Sequence, residues 1–282
     1  MSKQIIYGLE KYFNFIGTKL KESFIRHLID LQHNETGNFP WVLKEVLKFD
    51  FENLPEEHRS NRLNTYTSIG VNKNLNIETT VQLLSMAFPN DEFCAKLLNL
   101  YIAGEEALLS SIFSRTQVLS KIWIGETISK FYNKFDNTLL IGGWTTHHTL
   151  FFKNIKINNL FSIDIDSSIN KTAYVFNPNV LIDNKDILNS FDSNNNILIK
   201  ERIQDFDLII NTSAEHMPME WYDKIKPGTI VLVQSNNMNE PDHINNSAHL
   251  GEFLRKYPVS KTFYRGELNF DSYSRFMIFG IK

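Results

Sequence analysis

Leu139-Leu140-Ile141-Gly142-Gly143-Trp144 and Phe161-Ser162-Ile163-Asp164-Ile165-Asp166 decide the reading of this 282-residue chain. In the first stretch an apolar run breaks at paired glycines. In the second, another apolar run ends in acid about 20 residues after Gly142. A buried strand that turns through glycines, followed by a strand closed by a carboxylate, is an arrangement that holds a nucleoside at the carboxyl edge of a parallel sheet. It points to an enzyme more than to a structural protein.

From about residue 136 onward the chain consists of short β-branched runs separated by polar turns, as expected for alternating strands and helices. The pattern predicts strands over 138–142, 160–164, 179–183, 206–211 and 229–234, with helix-compatible segments between them and a turn at Lys226-Pro227-Gly228. The tail adds two further strands, Thr262–Leu268 and Ser274–Ile281, joined by so few residues that they must pair antiparallel. Upstream, apolar residues recur at helical spacing, as in Leu20, Phe24, Ile25, Leu28 and Leu31, again in Val81, Leu84 and Phe88, and through Ser110–Trp123. Asn76 is placed to cap a helix there, and Leu54–Asn61 is polar enough to be a loop. The expected architecture is therefore α/β. A Rossmann-like, doubly wound, mostly parallel sheet with a C-terminal antiparallel hairpin occupies 136–282, preceded by an α-helical N-terminal lobe over 1–135.

Composition narrows the function classes. With 42% apolar and 22% charged residues, and no apolar run approaching the roughly 18 residues of a membrane helix, the chain has no expected membrane partner. No secretory signal is visible at the start, and the only cysteine is Cys94, so a cytoplasmic location is expected and disulfides within the chain are excluded. Cys94 reads as a small core residue. The net charge of −3 carries no broad basic footprint, which favours a small-molecule substrate while leaving a local nucleic-acid patch open.

Each predicted strand end then offers candidate site residues. Gly142 and Gly143 would let the backbone approach a ligand, with the N-terminus of the next helix presenting free N–H groups. Asp164 is placed to accept hydrogen bonds from both ribose hydroxyls, with Asp166 the second candidate, and either acid can instead cap a helix beginning near Ser167. Asp186 suits an exocyclic amine such as adenine N6, with Ile187 packing on the ring. Asn211-Thr212-Ser213-Ala214-Glu215-His216 bring an amide, hydroxyls, a carboxylate and an imidazole to the same edge, making Glu215 and His216 the candidate catalytic pair. The amides of Gln234–Asn237 are placed to hold substrate polar atoms or to satisfy one another in a turn. A metal set drawn from His147, His148, Glu215, His216 and His243 fits no recognised spacing, so no metal is expected.

The order of these elements, with the hairpin closing the sheet, resembles the class I S-adenosylmethionine-dependent methyltransferases over about 136–282. The resemblance implies S-adenosyl-L-methionine as cofactor, with Gly142 and Gly143 beside its methionine part, Asp164 on its ribose and Asp186 with Ile187 on adenine. Asn211–Glu215 would then face the methyl group. The chain departs from the commonest glycine-rich signature by having Gly142-Gly143-Trp144. The expected activity is methyl transfer to a small molecule. Aminocarboxypropyl transfer of the nicotianamine-synthase type is an alternative, as are a nicotinamide-dependent oxidoreductase and a binding module without turnover.

Overall fold

The computed structural model describes residues 99–282, except 101, 113–114 and 153–154. The helical readings around Leu20–Leu31, Asn76 and Val81–Phe88, together with Cys94, lie outside the described residues. The chain divides into two units between Ile122 and Trp123, and the second unit contains every candidate site residue. Within the described part of the first, helix α1 (Glu106–Ile112) buries Leu109 and Ile112. Helix α2 (Arg115–Ser129) begins in that unit and ends in the second.

The second unit is built on a seven-stranded sheet. Its strands are β1 (Lys134–Ile141), β2 (Lys156–Ile163), β3 (Leu181–Asp183), β6 (Leu208–Asn211), β7 (Ile230–Asn236), β8 (Lys261–Asn269) and β9 (Ser274–Ile281). They lie in the order β3-β2-β1-β6-β7-β9-β8. The five strands from β3 to β7 are mutually parallel, and β9 runs antiparallel between β7 and β8. All seven predicted strands are present. The sheet is the expected Rossmann-like, mostly parallel one, closed by the C-terminal hairpin.

Parallel strands covered on both faces read as unbroken apolar runs, because both alternating sets of side chains are buried. Leu139, Ile141, Ile209, Val231 and Val233 face one layer with Trp221 and Tyr222 of helix α4 (Glu220–Asp223), and with Phe253 and Tyr257 at helix α5 (Leu250–Lys256). Leu140, Leu208, Ile210, Leu232 and Met277 face the other, against Ile124 and Ile128 of α2. Helix α3 (Asn170–Phe176) packs Ala173 with Val180 and Ile182 at the β3 side.

Two connections differ from the helical reading. Between β3 and β6 the chain forms a separate hairpin, β4 (Ile197–Ile199) with β5 (Arg202–Gln204). Its two turn residues, Lys200 and Glu201, both have positive φ, 47° and 64°. That is the type I′ geometry that hairpin twist demands, but it is formed here without the Asn-Gly pair that normally announces it. After β1 a 3-10 turn, His147–Phe151, stands where an α-helix was expected. Thr145, Thr146, His147 and His148 are all buried and hydrogen-bonded, so their side chains hold the segment out of a regular helix.

Candidate functional site

The carboxyl ends of β1, β2, β3 and β6 bring Gly142, Asp164, Asp186 and Asn211 to one edge of the sheet. The strand order reverses there, between β1 and β6, and an open α/β sheet leaves a crevice at that place.

Both glycines have local reasons to be glycine. Gly142 sits at φ 57°, its N–H donates to the Ile163 carbonyl at 2.9 Å, and an added Cβ would lie 2.6 Å from Met217 Cε. A Cβ on Gly143 would lie 2.2 Å from Ser162 Oγ and 2.9 Å from Leu140 Cβ, so the turn is pressed onto β1 and β2. The backbone then continues through left-handed Trp144 and Thr146, φ 45° and 57°. The expected N-terminus of an α-helix is replaced by this irregular segment. Thr146 Oγ1 donates to the Ala173 carbonyl at 3.2 Å, and His148 Nε2 lies 2.9 Å from Thr212 Oγ1.

Asp164 links the ends of β1 and β2. One carboxylate oxygen accepts the Trp144 N–H at 2.8 Å and the other accepts the Asp166 N–H at 3.0 Å. Burial pushes its pKa above the usual aspartate value, and the two backbone donors only partly offset that. Each oxygen retains lone-pair capacity for an outside donor. Asp166 is instead a cap. Its Oδ1 accepts the Ser168 N–H at 2.8 Å, at the head of the 3-10 turn Ser167–Ile169 that leads into α3. Asp186 caps the turn Ile187–Ser190 through Leu188 N–H at 2.8 Å while remaining exposed at the edge. Ile187 is 5% exposed within the core and Leu188 is half-buried against it. Asn211 is fully buried and shapes the loop after β6. Its Oδ1 accepts the Ser213 N–H at 2.9 Å and its Nδ2 donates to Met217 Sδ at 3.3 Å.

A second network occupies the β6–β7 side of the same edge. Glu215 is buried in the 3-10 turn Ala214–His216, where Oε1 accepts Asn236 Nδ2 at 2.5 Å and Oε2 is buried with no hydrogen-bond partner. His216 presents Nδ1 to Asp242 Oδ2 at 3.2 Å, and its ring meets that of His243 edge-on with centroids 4.6 Å apart. The loop carrying Asp242 and His243 is fixed over this turn. Asn245 N–H donates to the Glu215 carbonyl at 2.9 Å, and Asn236 Oδ1 accepts the Met238 N–H at 2.8 Å. His147 and His148 belong to the β1 turn and not to this network.

One participant is only half legible in the sequence and another escapes it. Asn236 matters as the partner of Glu215, which its place in a polar run does not reveal. Arg275, from β9, is buried opposite Asn236 and donates through Nη1 to the Thr212 carbonyl at 3.4 Å. In the sequence it is one of three basic residues in the C-terminal hairpin, and only the strand order brings it here.

A seven-stranded sheet with β9 inserted antiparallel between β7 and β8, and a glycine turn and strand-end acid at its switch point, settles the architecture. The fold is a Rossmann-like, mostly parallel sheet closed by a C-terminal antiparallel hairpin. Among solved structures the chain is similar to the N-methyltransferase NodS of Bradyrhizobium japonicum WM9 in complex with S-adenosyl-L-homocysteine. The identity is 13%, with 58% of this chain and 87% of that one covered and a TM-score of 0.43. It is also similar to the YcgJ protein of Bacillus subtilis, at 13% identity over 58% and 97% of the two chains with a TM-score of 0.41. A third is the plantazolicin methyltransferase BpumL in complex with S-adenosylhomocysteine, at 13% identity over 57% and 82% with a TM-score of 0.39. At these values the fold assignment rests on strand order and pairing. No family model and no curated protein matches the sequence.

Proposed function

We propose that this chain is an S-adenosylmethionine-dependent methyltransferase acting on a small-molecule acceptor. The observation that carries the reading is Asp164, a half-buried carboxylate held by two backbone donors at the carboxyl end of β2, beside the β1 turn, with accepting capacity left over. That is the chemistry a ribose diol requires. Asp186, exposed at the end of the next strand, has a carboxylate oxygen beyond its capping bond for an exocyclic amine, and Leu188 supplies the apolar rim beside it. Gly142 and Gly143 bring the backbone of the β1 turn close to the methionine part.

The cofactor supplies an activated methyl group when bound. The protein's share is to position the acceptor and exclude water. A dinucleotide fit is poorer. The order-3-2-1-4-5-6 dinucleotide sheet has no inserted antiparallel strand, and the third glycine of its phosphate turn is replaced here by the buried Thr145–His148 segment.

Calorimetric titration with S-adenosylmethionine and S-adenosylhomocysteine tests this reading. Saturable one-to-one binding is expected, weakened in Asp164→Ala by about 1.5–3 kcal/mol, the worth of hydrogen bonds to a charged group. Absence of binding at millimolar ligand, or equal affinity in the variant, overturns it.

A further inference from the structure

The Glu215 network has the form of a metal site. One donor atom from each of Glu215, His216 and His243 lies within 4.8 Å of the other two. Convergence of that kind is common on protein surfaces, so the environment of each donor decides its meaning.

The carboxylate is the deepest of the three. Glu215 is 3% exposed, with one oxygen oriented by Asn236 and the other buried and unpartnered. A buried acceptor left without a donor costs about 1–3 kcal/mol, a cost that a bound cation would relieve. The two imidazoles are prepared in a complementary way. His216 Nδ1 faces the Asp242 carboxylate at 3.2 Å, and His243 Nδ1 faces the Met238 carbonyl at 3.1 Å. Both partners are acceptors, so each Nδ1 carries its proton and each Nε2 is left with a lone pair. Metal-bound histidines are held in this manner, the far ring nitrogen donating to a carboxylate or a backbone carbonyl. Three potential ligands are thus each oriented by a second group and each left with one unused donor atom. The His216 and Asp242 side chains are 38% and 72% exposed, so the site opens to solvent above a buried base.

We propose that Glu215, His216 and His243 bind one divalent transition-metal cation, with positions left open for oxygen ligands. Two imidazoles and one carboxylate suit zinc, iron, cobalt or manganese better than magnesium or calcium, which prefer oxygen donors. Three protein ligands with open positions mark a site that works on a bound molecule rather than one that only braces the fold. It sits beside the loop after β6, next to the edge assigned to the cofactor. An acceptor presenting an oxygen to the cation would therefore be oriented and made more acidic there. This role for the acceptor rests on the methyltransferase reading, whereas cation binding does not.

The test is a titration of chelator-treated full-length protein with Zn²⁺ by calorimetry and with Co²⁺ by visible absorption, without any sulfonium ligand. One equivalent is expected to bind, with affinity falling at least about tenfold in Glu215→Gln and in His243→Ala while the thermal midpoint shows both variants folded. Failure of the folded native protein to bind either ion overturns the proposal. So does binding that survives both substitutions, which places the ion elsewhere. Should a variant fail to fold, the Co²⁺ spectrum of the native protein decides. Bands of a nitrogen-and-oxygen site support the proposal, and an unchanged aqueous-ion spectrum refutes it. Cation binding without S-adenosylmethionine binding keeps this site and removes the proposed function, and the reverse result does the opposite.

Discussion

The two halves of the carboxyl edge are organised by different means. On the β1–β3 side the acids are held by backbone donors close at hand. Asp166 and Asp186 each cap a turn two residues ahead, while Asp164 accepts from Asp166 N–H and from the neighbouring β1 turn. On the β6–β7 side the partners are side chains distant in sequence, Glu215 with Asn236 at the end of β7 and His216 with Asp242 in the loop that follows. A site fixed by local backbone geometry tolerates little change in the turn itself. A site fixed by converging side chains depends on a loop that can be altered without disturbing the sheet.

Gly143→Ala breaks the comparison most directly. The new Cβ would meet Ser162 Oγ and Leu140 Cβ at 2.2 and 2.9 Å, both parts of packed strands with little room to move. Overpacking of this kind costs about 1–3 kcal/mol, read as a lower urea midpoint. If the β1 turn is fixed by packing as described, the loss appears in the ligand-free protein. A variant of native stability that fails only in ligand binding would show that the glycine serves the ligand alone.

Asp166→Ala sharpens the contrast within one half. Loss of the bond to Ser168 N–H should lower stability by about 1 kcal/mol, the usual worth of a cap, and leave cofactor affinity intact. Asp164→Ala should do the reverse in emphasis, with affinity falling further than stability. If both variants lose affinity equally, the division between a ribose acid and a capping acid is wrong.

The same contrast explains what could be read from the sequence. All seven sheet strands were legible, because strands buried on both faces are continuous apolar runs and glycines and acids punctuate their ends. The β4–β5 hairpin was not, since Lys200-Glu201 adopts a turn whose usual residues are absent. The turn after β1 looked helical because nothing in Thr145–His148 advertises that these side chains are buried and bonded to α3 and to the β6 loop. Asp164, Asp186 and Glu215 could be located as strand-end acids. Their division into strand-end bridge, cap and buried cluster member depends on which N–H or amide each one meets. Arg275 had no signal of its own, because its place opposite Asn236 exists only through the β7–β9 register, whereas Asn236 stood among the candidate amides of Gln234–Asn237 without its bond to Glu215 being legible.

The smallest expected effect is the dependence on pH, and it separates the two jobs of Asp164. Burial raises its pKa in the folded protein, so relative to the unfolded chain folding favours the protonated form. Its contribution to stability is therefore fully present below the unfolded value and is lost as pH rises through the folded value. Ribose hydroxyls donate to the ionised form, so cofactor affinity follows the opposite course, full above the folded pKa and falling as pH drops through it. Because that pKa is raised, the fall should begin at a higher pH than an exposed aspartate would give. Urea midpoints of the ligand-free protein and calorimetric affinities over one pH series should thus slope in opposite directions, and Asp164→Asn should flatten both. Parallel slopes, or slopes retained in the variant, would mean that another group titrates and that the half-buried carboxylate at the β1–β2 junction is not the one that meets the ligand.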